Sequence, residues 1–235
     1  MLSIAKNIKI RTKNAKFVVL LKVNYMDDLR RQFPQLSETV YGKQLVYLDN
    51  AATSQRVQTV IDLWNRISAE SNANIHRAVH RLADEATQAY EHARDAVKDF
   101  LNAECREEIV FTSGTTSAIN LVAFCYGEAF VNEGDEVIVT EAEHHSDIVP
   151  WQMMCKRKGA VLKVLPVDDD GYLKVEMLDE LISAKTRILA CTHISNVLGI
   201  VNPVKQIIDK CHAEGVPVLV DGAQGIVHSK VDVQD

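Results

Sequence analysis

Val216-Pro217-Val218-Leu219-Val220-Asp221-Gly222-Ala223-Gln224 is an apolar, β-branched run that stops on a carboxylate and turns on a glycine. A short apolar run of this kind reads as a buried strand of a parallel sheet, with its polar end at the surface. The same pattern recurs upstream. Strands are predicted over Ile109-Val110-Phe111-Thr112 and over residues 136–140, 161–165 and 187–192, besides 216–220. Helices are predicted between them over residues 115–130, 146–158 (Pro150 in or near the first turn), 175–183 and 204–214. Such alternation means βαβ units, and therefore an α/β fold with a mostly parallel sheet and helices on both faces. Two more helices precede it. Val57, Val60, Ile61, Trp64 and Ile67 share one face over residues 55–68, and Leu82, Ala86, Ala89, Tyr90, Ala93, Val97 and Leu101 share another over 82–101.

Open parallel sheets bind ligands beyond the carboxyl ends of their strands, and the chemically distinctive residues fall there. Ser113-Gly114-Thr115-Thr116 opens a helix, where free amides, the helix dipole and hydroxyl donors suit a phosphate, although an ordinary N-cap uses the same residues. Neither G-x-x-x-x-G-K-[ST] nor G-x-G-x-x-G occurs, so that phosphate is not expected to belong to a nucleotide. Asp221 is placed to hold a protonated ring nitrogen, or to cap the next helix. Glu143-His144-His145 follows a strand, so one imidazole can stack on a flat ring and carry a proton, or simply brace a turn. Asn196, in Thr192-His193-Ile194-Ser195-Asn196, brings a side-chain amide to a third strand end. No metal site is expected, because no H-E-x-x-H or comparable spacing is present. Asp168-Asp169-Asp170-Gly171 reads as a turn rather than a calcium loop.

The bulk numbers agree with a small-molecule enzyme. The 235 residues are 47% apolar and 25% charged, at the globular average, and have ten Gly, five Pro and no repeat or linker. The net charge of -6 is uneven: residues 1–25 hold Lys6, Lys9, Arg11, Lys13, Lys16 and Lys22 without an acid, leaving 20 basic against 32 acidic residues beyond them. An acidic body disfavours nucleic acid as a partner, and Phe17-Val18-Val19-Leu20-Leu21 is too short to span a membrane. The basic extension reads as a transit-like leader or as sequence ahead of a native start at Met26, and the second reading is preferred. Five scattered cysteines fit a reducing cytosol, and all five are expected to be buried.

The order of these segments resembles the fold-type I pyridoxal-phosphate enzymes, within them the class V aminotransferase group, and most closely the SufS-type cysteine desulfurases. The resemblance runs from near Asp28 to the last residue. It includes Tyr47-Leu48-Asp49-Asn50-Ala51-Ala52-Thr53, Asn74-Ile75-His76-Arg77-Ala78-Val79-His80, Glu143 to Trp151, and Val218 to Gln224. It implies that Thr115 and Thr116 hold the cofactor phosphate and that His144 stacks on the pyridine and assists proton transfer. Asp221 would hold the ring nitrogen, and Asn196 and Gln224 would lie near the phenolic oxygen. Ala51, His76 and again Asn196 fall on the substrate side. Asp147 stands where the family has Asn, either adding charge beside His144 or facing solvent.

The resemblance further implies L-cysteine as substrate, a SufE- or SufU-like sulfur acceptor, a homodimer, a cytoplasmic location and a role in iron–sulfur cluster assembly. The family's Schiff-base lysine, acceptor cysteine and small domain would follow Asp235, and Lys230 reads as a surface residue. Residues 26–235 are thus expected to form an incomplete large domain, inactive alone, holding pyridoxal phosphate non-covalently at most and exposing an apolar flank. The alternatives are a non-catalytic cofactor-binding or interaction remnant, or another class V enzyme such as a selenocysteine lyase.

Overall fold

The computed structural model describes residues 26–235, so the basic extension and the question of Met26 lie outside the described residues. The chain divides into two compact units, one running to Tyr90 and the other from Glu91 to Asp235, and the division falls inside a helix rather than at a linker.

In the first unit residues 26–31 are helical, a small antiparallel hairpin pairs β1 (Thr39–Val40) with β2 (Lys43–Gln44), and α1 spans Gln58–Glu70. The Arg30 guanidinium ties this region together by donating to the carbonyls of Leu36 and Leu45, at 2.6 Å each. Helix α2 (Arg81–Leu101) carries the chain across the division.

The second unit is the α/β body. Its elements are α3 (Thr115–Phe130), β3 (Glu136–Thr140), α4 (Val149–Lys158), β4 (Val161–Leu165), α5 (Leu178–Leu181), β5 (Thr186–Thr192), α6 (Val204–Ala213), β6 (Val218–Asp221) and α7 (Gly225–His228). Strands β3 to β6 form one parallel sheet in the order β4-β3-β5-β6. The two-residue period of a strand sorts its side chains between two cores. Val137, Val139, Ile188 and Ala190 pack with Trp151, Met154 and Cys155 of α4 and Ala123 of α3. Their neighbours Ile138, Leu189 and Cys191 point the other way, onto Leu178 of α5 and Ile207 and Cys211 of α6. Helices therefore cover both faces, as the alternation predicts. Helix α4 ends at Gly159, whose φ of 71° supplies the left-handed stop. The acidic run after β4 is a turn, with Asp168 Oδ1 accepting from the amides of Asp170 and Tyr172.

Three expectations change. Ile109-Val110-Phe111-Thr112 is not a sheet strand: it meets no ladder among the described residues, and an apolar run becomes a strand only beside another. The helix expected over 175–183 is shorter and opens with a 3-10 turn, Val175–Met177, before α5. Cys155, Cys191 and Cys211 are buried, but Cys105 and Cys125 are exposed. On α3 the outward side also bears Leu121, Phe124 and Phe130, at 46%, 59% and 58% exposure.

Candidate active site

The sheet order places β3 and β5 side by side, while the chain leaves β3 toward β4 on one flank and β5 toward β6 on the other. This reversal is a topological switch point, and the crevice beyond it is where a doubly wound sheet receives a ligand. His144 follows β3, Asn196 follows β5, and Asp221 ends β6, in register with Thr192 at the end of β5. The structure thus gathers His144, Asn196, Asp221 and Gln224 along one edge of the sheet.

Asp221 is buried, at 6% exposure. One oxygen, Oδ1, accepts from the Ala223 amide at 2.9 Å, and the other has no hydrogen bond among the described residues. A buried carboxylate with one oxygen fixed and one available is suited to a protonated ring nitrogen. Its backbone carbonyl accepts from the His193 amide at 2.9 Å, locking the β6 end to the β5 loop. Gln224 forms the N-terminal boundary of α7. The next residue, Gly225, leaves no room for a side chain: a Cβ there would lie 2.4 Å from His193 Nδ1 and 2.8 Å from its Cγ.

His144 is exposed, and its Nδ1 faces Ser146, lying 2.7 Å from the hydroxyl and accepting from the amide at 3.1 Å. Acceptance from an N–H assigns the proton of the neutral ring to Nε2. Asn196 is exposed in a turn held by Ser195, whose Oγ accepts from the amides of Val197 and Leu198.

Helix α3 begins without a cap. Gly114 precedes it with φ 140°, a conformation that an L side chain rarely adopts, and no side chain bonds the first-turn amides. Ser113 pairs with Ser117 at 2.7 Å, while the exposed hydroxyls of Thr115 and Thr116 make no hydrogen bond among the described residues. Open amides, two free hydroxyls and a sixteen-residue dipole fit a phosphate dianion. Two of the three substrate-side candidates are in the first unit, where Ala51 lies in a turn over residues 50–52. His76 adopts φ 60°, its amide donating to Thr87 Oγ1 at 3.0 Å and its ring meeting Tyr90 edge-on at 5.8 Å.

Asp147 does not face solvent. Its side chain is fully buried, and Oδ1 accepts from Trp151 Nε1 at 2.9 Å. Glu143, given no role by the sequence reading, is buried too, and its Oε1 accepts from the Thr140 hydroxyl at 2.5 Å and the Thr192 amide at 2.7 Å. The missed signal was spacing: Glu143, Asp147 and Trp151 recur every four residues. Lys230 is exposed, as expected, and its charge is felt by Asp232. Among the described residues no group of three His, Cys, Asp or Glu side chains is placed to hold a metal, and no helix is long and apolar enough to cross a membrane.

Residues 46–235 match the family described as Aminotransferase class-V. A probable cysteine desulfurase of Halalkalibacterium halodurans is 49% identical over 208 residues, covering 88% of this chain and 51% of that protein. A cysteine desulfurase of an Enterobacter species is 49% identical over 209 residues, covering 89% and 52%. The cysteine desulfurase CsdA of Escherichia coli superposes with a TM-score of 0.77 at 40% identity, covering 88% of this chain and 51% of its own. A C-DES variant solved with glycine covalently linked to its pyridoxal-phosphate cofactor shares the fold, with a TM-score of 0.71 at 22% identity. The chain spans about half the length of the curated relatives it matches. A parallel sheet with its polar strand ends at a switch point, matched over four-fifths of the sequence, shows that the chain belongs to the class V aminotransferase family of fold-type I pyridoxal-phosphate enzymes.

Proposed function

We propose that this chain carries the cofactor-cradling part of a SufS-type cysteine desulfurase, which removes sulfur from L-cysteine for iron–sulfur cluster assembly. The observation that carries the proposal is the buried Asp221 carboxylate, with one oxygen bonded and one available, at the end of β6. Bound there, pyridoxal phosphate supplies a protonated pyridine that draws electrons from the substrate α-carbon. The chain's residues divide the remaining work. Thr115, Thr116 and the amides of α3 bind the phosphate, and Asp221 keeps the ring nitrogen protonated. His144 covers the ring face and holds a proton at Nε2. Asn196 and Gln224 orient the phenolic side, with Asn196 also toward the substrate.

These residues hold the cofactor non-covalently, and Lys230, exposed beyond α7, takes no part. The whole protein is proposed to act in the cytoplasm as a homodimer passing sulfur to a SufE- or SufU-like acceptor. Absorbance titration of the purified chain with pyridoxal phosphate tests this. Saturable binding is expected, weakened in Asp221→Asn, with no lysine adduct after borohydride. Binding indifferent to Asp221, or an adduct on Lys230, would overturn it.

A further inference from the structure

The switch point contains a pair of buried acids that the cofactor chemistry leaves unused. Each has one oxygen fully bonded: Glu143 Oε1 takes the Thr140 hydroxyl and the Thr192 amide, and Asp147 Oδ1 takes the Trp151 indole N–H. Each also has one buried oxygen without a donor, Glu143 Oε2 and Asp147 Oδ2. The two acids flank His144 four residues apart, and each carboxyl shifts the proton affinity of the other. Neither joins an ion pair with Lys, Arg or His among the described residues. The other titratable groups that face them are Asp221 from β6 and Cys191 from β5, which supply no positive charge, and the nearby His144 ring turns to Ser146. Two bare, buried carboxylates that feel each other would repel, and each would leave a buried oxygen unsatisfied. One proton between them removes both penalties.

We propose that Glu143 and Asp147 share a single proton at neutral pH, forming a carboxyl–carboxylate clamp that positions His144. The clamp joins three elements. Glu143 reaches the ends of β3 and β5, and Asp147 reaches α4 through Trp151. His144 lies between them in the chain, its carbonyl accepting from the Asp147 amide at 2.8 Å. Burial pushes Glu143 up to about 9, opposed by the Thr140 hydroxyl bond and reinforced by repulsion from Asp147. Burial also pushes Asp147 up to about 6. A carboxyl that keeps its proton in the folded chain while the unfolded chain releases it makes stability fall with rising pH. The loss begins in the ordinary carboxylate range and is complete once the folded pair has released its shared proton.

The role assigned to His144 rests on the function proposed above, whereas the shared proton does not, and the experiment separates them. Infrared spectra of the unliganded chain at pH 7 are expected to show a protonated-carboxyl C=O band that disappears at alkaline pH. Asp147→Asn and Glu143→Gln each keep the clamp by placing an amide N–H where the proton was, so each should fold and lack the band. Each should also flatten the decline of the melting temperature between pH 5 and 9, by about 5 °C or more at the alkaline end. A parent chain without the band at pH 7, or a band persisting in both variants, overturns the proposal. Failure of both variants to fold leaves the parent spectrum and its pH dependence to decide. Pyridoxal-phosphate binding that is absent while the band is present would reject the function proposed above and keep the clamp.

Discussion

Replacing Gly225 by alanine should destabilise the chain through one defined collision. The new methyl would meet His193 Nδ1 at 2.4 Å, Cγ at 2.8 Å and Cβ at 3.0 Å, so it strikes the base of a ring rather than a flexible tip. His193 is not free to retreat, because its amide donates to the Asp221 carbonyl and its own carbonyl accepts from the Asn202 amide. Alanine also favours a helix over glycine by roughly 1 kcal/mol, but α7 is only four residues long and realises little of that gain. Forcing extra volume into a packed site costs about 1–3 kcal/mol, so the clash should win. For a chain of this size the melting temperature should fall by about 3–10 °C. Thermal denaturation followed by circular dichroism measures it. His193→Ala removes the obstacle, so the double variant should regain most of the loss. A single variant that melts like the parent, or a double variant as unstable as the sum of the two changes, would refute the reasoning.

Thr115→Ala and Thr116→Ala should each weaken pyridoxal-phosphate binding by about 10–100-fold, and more in the double variant, since a hydrogen bond to a charged group contributes about 1.5–3 kcal/mol. Inorganic phosphate should compete in the parent and not in the double variant. Trp151→Phe strips the donor from buried Asp147 Oδ1, costing about 1–3 kcal/mol. Because the indole bond lowers the Asp147 pKa, its loss should steepen the decline of stability with rising pH, read as melting temperature against pH. A thiol reagent should label Cys105 and Cys125 in the folded chain and the three buried cysteines only in denaturant, counted by mass spectrometry.

The sheet was readable because β3, β5 and β6 alternate between two apolar cores within runs of at most seven residues, a signal local in sequence. Ile109-Val110-Phe111-Thr112 carries an equally apolar signal and misleads, since pairing depends on a neighbour that no local pattern names. Strand-end polarity located Asp221, His144 and Asn196, because a charge following a buried run has to emerge at an edge. Asp147 and Glu143 escaped the same logic. Side chains of that charge ordinarily face water, and the Trp151 indole, the Thr140 hydroxyl and the Thr192 amide support their burial. The division inside α2 was also hidden, because an uninterrupted helical period gives no mark of where its packing partners change.

The unprotected opening of α3 has a consequence for the lifetime of the polypeptide. A helix whose first turn finds no internal partner frays, and an anion that settles there becomes part of what keeps the chain folded. Where that anion is the coenzyme's phosphate, vitamin B6 supply would govern how quickly cellular proteases clear the protein, independently of any turnover it catalyses.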